Sequence, residues 1–258
     1  MLTFRNSLAV FILVIAGLIV YDYSHDLSVW AYVIPFLAGG VLVAWGCYFI
    51  QSDFFLKAFY SGDPHKNEIS ITFDDGPHEN TPVLLDILAR HQVKAAFFCI
   101  GKNISGRENI VRRISEEGHV IGNHSYSHNN MIDLWPLNKL LADVTMAENE
   151  IQRTTGKKCK LFRPPYGVTT PLIAEMVKKK KYSVIGWDVR SYDTTIKDKE
   201  RLMKRIFRLM KNGSVILLHD TTPGIDIVLE NVIAQAKNMN LKIVGIEKLL
   251  GIKAYETE

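Results

Sequence analysis

The strongest constraint on this chain is a strand that stops on two carboxylates. Ile69, Ile71 and Phe73 alternate along one segment, which then meets Asp74, Asp75, Gly76 and Pro77. Alternating β-branched and aromatic residues mark a buried strand, and Gly-Pro is a strong turn signal. In α/β proteins the carboxyl ends of strands open onto a cleft, so acids placed there are held rigidly and face solvent. Neighbouring residues at a strand end point different ways, which lets one acid bind a metal while the other works on a water. Taken alone, the segment reads equally well as an Asp-Gly-Pro turn with solvated acids. The rest of the chain decides between the two.

From Glu68 onward, strand and helix patterns alternate, as in a parallel-sheet α/β fold. Strands are expected at 69–73, 95–100, 119–122, 161–163, 183–187, 214–218 and 242–244. Helices are expected between them at 81–91, 108–117, 137–155, 170–180, 197–211 and 225–238. Pro82 suits a first helical turn, and Gly118 and Gly156 suit helix ends. About seven strand-helix units favour a barrel over an open sheet.

The first 60 residues are different. Most of the chain's apolar surplus lies there, in runs at Leu8 to Val20 and Val29 to Ile50. The second run would extend roughly 33 Å as a helix, about the thickness of a bilayer's hydrocarbon core. It reads as a transmembrane helix. The first reads as a second span in preference to a signal peptide, because no small-x-small cleavage site follows Val20. Arg5 and Lys57 flank the hairpin while its loop holds Asp22 and Asp26 without Lys or Arg, which taken literally puts both termini in the cytoplasm; the count rests on one or two charges and leaves the side of the catalytic domain open. The expected organisation is therefore a membrane anchor at 1–50, a linker at 51–67 and a catalytic domain at 68–258. Phe54, Phe55, Leu56, Phe59 and Tyr60 in the linker suit either the membrane interface or one edge of the domain.

Composition excludes several other classes. The net charge is +4, and no basic stripe interleaves with aromatics, so no nucleic-acid partner is expected. The Lys178 to Lys181 run reads as a solvated helix end. Three cysteines, Cys47, Cys99 and Cys159, are too few and too irregularly spaced for a disulfide framework or a four-thiolate zinc site.

Four further segments carry candidate chemistry. His124 and His128 stand four apart just past a strand; on one helical turn they would point the same way and, with Asp75, form a three-ligand metal site with open positions. Arg163 precedes Pro164, Pro165, Tyr166 and Gly167. It can grip a carboxylate through two hydrogen bonds, and Tyr166 offers the first free N–H after two prolines, where an oxyanion could be met. His219 follows an apolar strand, and either Asp188 or Asp193 as partner would raise its pKa and make it a general acid.

In this order and spacing, Thr-Phe-Asp-Asp-Gly-Pro, Asn-His-Ser-Tyr-Ser-His, Arg-Pro-Pro-Tyr-Gly and Leu-Leu-His-Asp resemble the polysaccharide deacetylases of carbohydrate esterase family 4, the NodB-like homology domain. The resemblance implies a distorted seven-stranded (β/α) barrel, here preceded by an N-terminal transmembrane helical hairpin. It implies hydrolysis of acetyl groups on sugar polymers with a divalent metal, zinc first and cobalt, nickel or manganese as alternatives. Carried over by motif, Asp74 is the general base, Asp75, His124 and His128 are the ligands, and Arg163 orients Asp74. His219 is the general acid tuned by Asp193, and Tyr166, Leu217, Pro164 and Trp187 contact substrate. The resemblance departs at Arg190, where an acid is common, and at Thr194, where a groove-lining Trp often follows. The expected activity is that of a membrane-bound N-deacetylase of a polysaccharide, peptidoglycan or lipid-linked saccharide in a bacterial cell membrane. The alternatives are hydrolysis of other non-peptide C–N bonds and a catalytically silent sugar-binding protein.

Overall fold

A computed structural model describes residues 2–256; the expected outer limits at 1 and 258 lie outside the described residues. Two helices come first, α1 (Phe4–Asp22) and α2 (Trp30–Tyr48), packed as a hairpin with Phe11 against Phe36 and Gly39. Asp22 ties the turn by accepting from the Tyr32 hydroxyl at 2.9 Å. Each helix has 19 residues, about 28 Å of rise. Both are long and apolar enough to cross a membrane, and α1 has no buried residue. Helix α2 is shorter than the expected run because Phe49 turns into an extended conformation and Ile50 is buried in a 3₁₀ turn.

The remaining elements follow in order: β1 (Ala58–Phe59), β2 (Glu68–Asp74), α3 (Thr81–Arg90), β3 (Ala96–Cys99), α4 (Gly101–Ile104), α5 (Glu108–Glu116), β4 (Val120–Asn123) and α6 (Leu137–Thr155). Then come β5 (Leu161–Phe162), α7 (Pro171–Lys180), β6 (Ser183–Ile185), β7 (Val189–Arg190), α8 (Lys199–Leu209), β8 (Val215–His219), α9 (Ile225–Asn238), β9 (Lys242–Ile243) and α10 (Ile246–Leu250). Local chemistry sets several helix starts. Thr170 caps α7, which begins with Pro171, and Asp198 caps α8.

Every strand pair is parallel, and β2 to β8 form one curled seven-stranded ring in the order β6-β5-β4-β3-β2-β8-β7. Between β6 and β7 the ring is open among the described residues, and there β1 pairs with β6. Residues assigned to a linker thus cover one edge of the sheet, and Ser61 bridges on to Ser214. The 242–244 strand pairs only with the first two residues of β2, and its expected place in the ring is taken by β7, two residues long.

Register places the chemistry. Asp74 lies beside His219 of β8, and Asn123 beside Phe162, so residues 74–75, 124, 163 and 219 all emerge at the carboxyl edge. Beneath them, β2 is buried from Ile69 to Asp74, and the Phe73 and Phe97 rings stack at 5.0 Å. Ser70 and Thr72 between the apolar residues are buried as well, with Thr72 Oγ1 donating to the Ile216 carbonyl at 2.9 Å, so the strand is covered on both faces as in a parallel sheet.

Candidate active site

Asp74 ends β2, and Asp75 follows it with φ +74. That left-handed turn, rather than strand alternation alone, sends the two carboxylates apart. Its carbonyl is held by Asn103 Nδ2 at 2.9 Å. Asp75 Oδ1 lies 3.5 Å from His124 Nε2 and 3.4 Å from His128 Nε2, and the three donor atoms fall within 4.8 Å of one another.

The histidines do converge, but not on a helix. Residues 124–128 form a loop in which Ser125 and His128 have positive φ. This corrects the helical-turn reading: four-residue spacing brings two rings together on a helix, and a loop with two left-handed residues achieves the same. The loop is held from below by Asp143, a buried acid of α6 whose carboxylate accepts from Tyr126 N at 2.8 Å and Ser127 N at 3.1 Å. The signal for Asp143 was an acid on the helix face shared by Leu140, Val144 and Ala147.

His124 Nδ1 donates to the Arg163 carbonyl at 2.8 Å, which fixes the ring with Nε2 directed at Asp75. Burial disfavours charge on this ring, but Asp74 and Asp75 outweigh it and raise its pKa. His128 Nδ1 lies 3.3 Å from the Tyr166 hydroxyl. Burial, with His124 beside it, lowers the His128 pKa to about 4, so this imidazole is neutral and ready to ligate. Burial acts to raise the Asp75 pKa, but the surrounding histidines outweigh it and bring it down to about 2. Two imidazoles and one carboxylate, with room for further ligands, fit a catalytic divalent cation such as zinc.

Arg163 is fully buried, with Phe98 4.1 Å under its guanidinium carbon. The expectation that it grips a carboxylate through two hydrogen bonds is corrected. Nη1 donates to Asp74 Oδ1 at 2.7 Å and Thr72 Oγ1 at 2.8 Å, while Nε and Nη2 are taken by the carbonyls of Ile185 and Gly186. Asp74 Oδ2 is left facing the site, 3.7 Å from His124 Nε2.

On the other side, His219 Nδ1 lies 2.8 Å from Asp193 Oδ1, and its backbone N donates to Asp193 Oδ2 at 2.7 Å. Burial opposes charge on His219, yet Asp193 outweighs it and pushes the pKa up to about 9. Asp188, the other candidate partner, is turned away to accept from Val215 N at 2.8 Å.

These groups meet in a cavity of about 320 Å³ lined also by Tyr166, Trp187, Leu217, Arg190 and Thr194. Tyr166 has φ +61, and its N–H makes no hydrogen bond among the described residues. Gly167 is required behind it: φ is +72, and a Cβ there would sit 2.4 Å from Trp187 Cη2. Pro164 is buried behind this turn, away from the cavity. Sequence reasoning also assigned nothing to Asp220, which is fully buried with Oδ1 unpartnered and Oδ2 accepting from Thr81 Oγ1 at 2.6 Å.

Fold and site together define a hydrolase class: a half-barrel with an acid-base pair flanking a metal-competent triad. Residues 61–185 match the family model described as polysaccharide deacetylase. The chain is 34% identical to a peptidoglycan-N-acetylglucosamine deacetylase of Bacillus cereus over 74% of its own length and 70% of the relative's. It is 30% identical to a peptidoglycan-N-acetylmuramic acid deacetylase of Bacillus subtilis, covering 75% of each chain. Among solved structures, a peptidoglycan N-acetylglucosamine deacetylase crystallised with 4-naphthalen-1-yl-N-oxidanyl-benzamide superposes with TM-score 0.72 at 32% identity, covering 76% of this chain and 94% of that one. The chain belongs to the polysaccharide deacetylase family.

Proposed function

We propose that the chain is a membrane-anchored, divalent-metal-dependent deacetylase of N-acetylated amino sugars. The observation that carries this is the placing of Asp74 and His219 on paired strands, on either side of the Asp75–His124–His128 triad. Relatives named as peptidoglycan deacetylases support the substrate class. When bound, the cation supplies a Lewis acid that polarises the amide carbonyl and acidifies a water.

The chain's own residues carry the remaining steps. Asp74, steered by Arg163, takes a proton from the attacking water through its open Oδ2. The free Tyr166 N–H donates to the developing oxyanion. His219, held charged by Asp193, gives its proton to the departing amine. Leu217 and Trp187 form the apolar wall for the acetyl methyl.

Anchoring is supported by how α2 enters the domain. Cys47 and Gly46 carbonyls accept from Thr169 N at 3.0 Å and Thr169 Oγ1 at 3.2 Å, and Gln51 Nε2 donates to the Trp187 carbonyl at 2.7 Å. These bonds tie the end of α2 and the turn after it to the segments behind Tyr166 and Trp187, which supports a retained helix over a removable leader. The full chain, purified in detergent and loaded with zinc or cobalt, should release acetate from N-acetylglucosamine oligomers. Metal-loaded protein that releases none from any N-acetylated saccharide would refute the proposal.

A further inference from the structure

Arg190 is the cationic residue of the cavity that the chemistry above does not use. Its backbone is fixed in β7, paired with Leu217, and its carbonyl accepts from Arg205 Nε at 3.1 Å. Its half-buried guanidinium lies 5.6 Å from the Trp187 ring centre and 4.8 Å from that of Tyr192. Among the described residues it makes no hydrogen bond and no ion pair. Aromatic faces hold a guanidinium in place without consuming its N–H donors. Arg190 therefore presents an unoccupied planar fork to a cavity whose other nearby charges include Asp74 and Asp75.

A neutral sugar gives such a group nothing to pair with, whereas a carboxylate or phosphate matches it through two parallel hydrogen bonds. The positive field continues outward. Arg205 lies 4.7 Å from the same Tyr192 ring, and Arg201, Lys204, Arg205 and Arg208 line a neighbouring cavity of about 360 Å³ along α8. Oriented cationic groups of this kind draw anionic ligands toward a cleft. On its other side, the Trp187 carbonyl is held by Gln51, in the 3₁₀ turn that follows α2 where the chain leaves the hairpin.

We propose that Arg190 is a specificity-determining residue that binds an oxyanion carried by the acetylated sugar, either the phosphate joining it to a lipid or a carboxylate on the sugar itself. This rests on the deacetylase reading above and narrows its substrate to acidic acetylated amino sugars. The adjacent root of the hairpin places a lipid phosphate within the natural reach of the site, and the two sources are separable by experiment.

The test uses the full metal-loaded chain in detergent and three substrates built on the same acetylated disaccharide: the neutral sugar, its 1-phosphate ester with a short alkyl chain, and its lactyl-ether carboxylate. The wild type should favour at least one acidic substrate over the neutral one by about tenfold or more in kcat/KM, the weight of a charged hydrogen-bonded pair. Arg190→Gln should collapse that ratio through KM, and Arg190→Lys should restore part of it. A response of the phosphate ester alone assigns a lipid-linked sugar; a response of the carboxylate alone assigns an acidic wall sugar. Equal losses on neutral and acidic substrates in Arg190→Gln, or no wild-type preference, would overturn the proposal. Calorimetric titration of N-acetylglucosamine 1-phosphate and N-acetylmuramic acid into Asp74→Asn protein, with and without Arg190→Gln, reads the same subsite without turnover. If no substrate releases acetate, the deacetylase reading fails, and that titration still decides for or against Arg190.

Discussion

Arg163 donates to Asp74 at 2.7 Å with its own side chain wholly inaccessible and that of Asp74 only 4% exposed. A buried pair of this kind is vulnerable to the loss of one partner, because the other is left as an uncompensated charge. Arg163→Met should therefore destabilise the chain by about 3 to 5 kcal/mol. The double variant Arg163→Met with Asp74→Asn should regain much of that loss. Thermal unfolding of the detergent-solubilised chain measures both, and simple additivity of the two substitutions would show that the pair is not coupled.

Asp193 should set the basic limit of the proposed activity. His219 must carry a proton to serve as the acid, so with its pKa raised to about 9 activity is present below that pH and falls as pH rises through it. Asp193→Asn removes the partner that outweighs burial, so the falling limb of kcat/KM should move down toward about 6.5 or below. A pH–rate profile checks this; a limb that stays near pH 9 would mean that His219 is not the group being titrated.

Asp220 should make the metal-free fold weaker as pH rises. Burial raises its pKa to about 7, with Asp75 and Asp74 adding to the effect. Between roughly pH 4 and 7 the folded chain thus holds a proton that the unfolded chain has released, and stability falls with pH across that window. Asp220→Asn keeps an acceptor for Thr81 and removes the titration. Unfolding midpoints of chelated protein at pH 5 and 8 should differ less in the variant, by several degrees, and an unchanged difference would count against this origin. The same carboxylate explains Gly76, where a Cβ would stand 2.2 Å from Asp220 Oδ2.

The parts of this site that sequence could show were those written in periodicity. The β2 strand and its two terminal acids followed from alternation and a turn signal, and Asp75, His124 and His128 from donor chemistry just past strand ends. Features that tertiary contacts create were not accessible. Strand β7 has two residues, too few for any period, so Arg190 could not be placed beside Leu217. Asp143 and Asp220 work as hydrogen-bond acceptors for other segments; an acid on the apolar face of α6 marks Asp143 as unusual without naming its partners, and no local pattern points to the role of Asp220. The residues by themselves left Asp188 and Asp193 open as the partner of His219, and it was the family resemblance that pointed to Asp193; the physical reason, Asp188 turned to Val215 N beside the β7–β8 pair, lies in tertiary structure.

The division of labour between the adjacent aspartates is tested most directly by measuring bound metal and acetate release side by side in Asp74→Asn and Asp75→Asn. Asp74→Asn should retain about one divalent ion per chain and release no acetate, while Asp75→Asn should lose both ion and activity. An Asp74→Asn protein that fails to hold the ion, or that still turns over, would contradict the account.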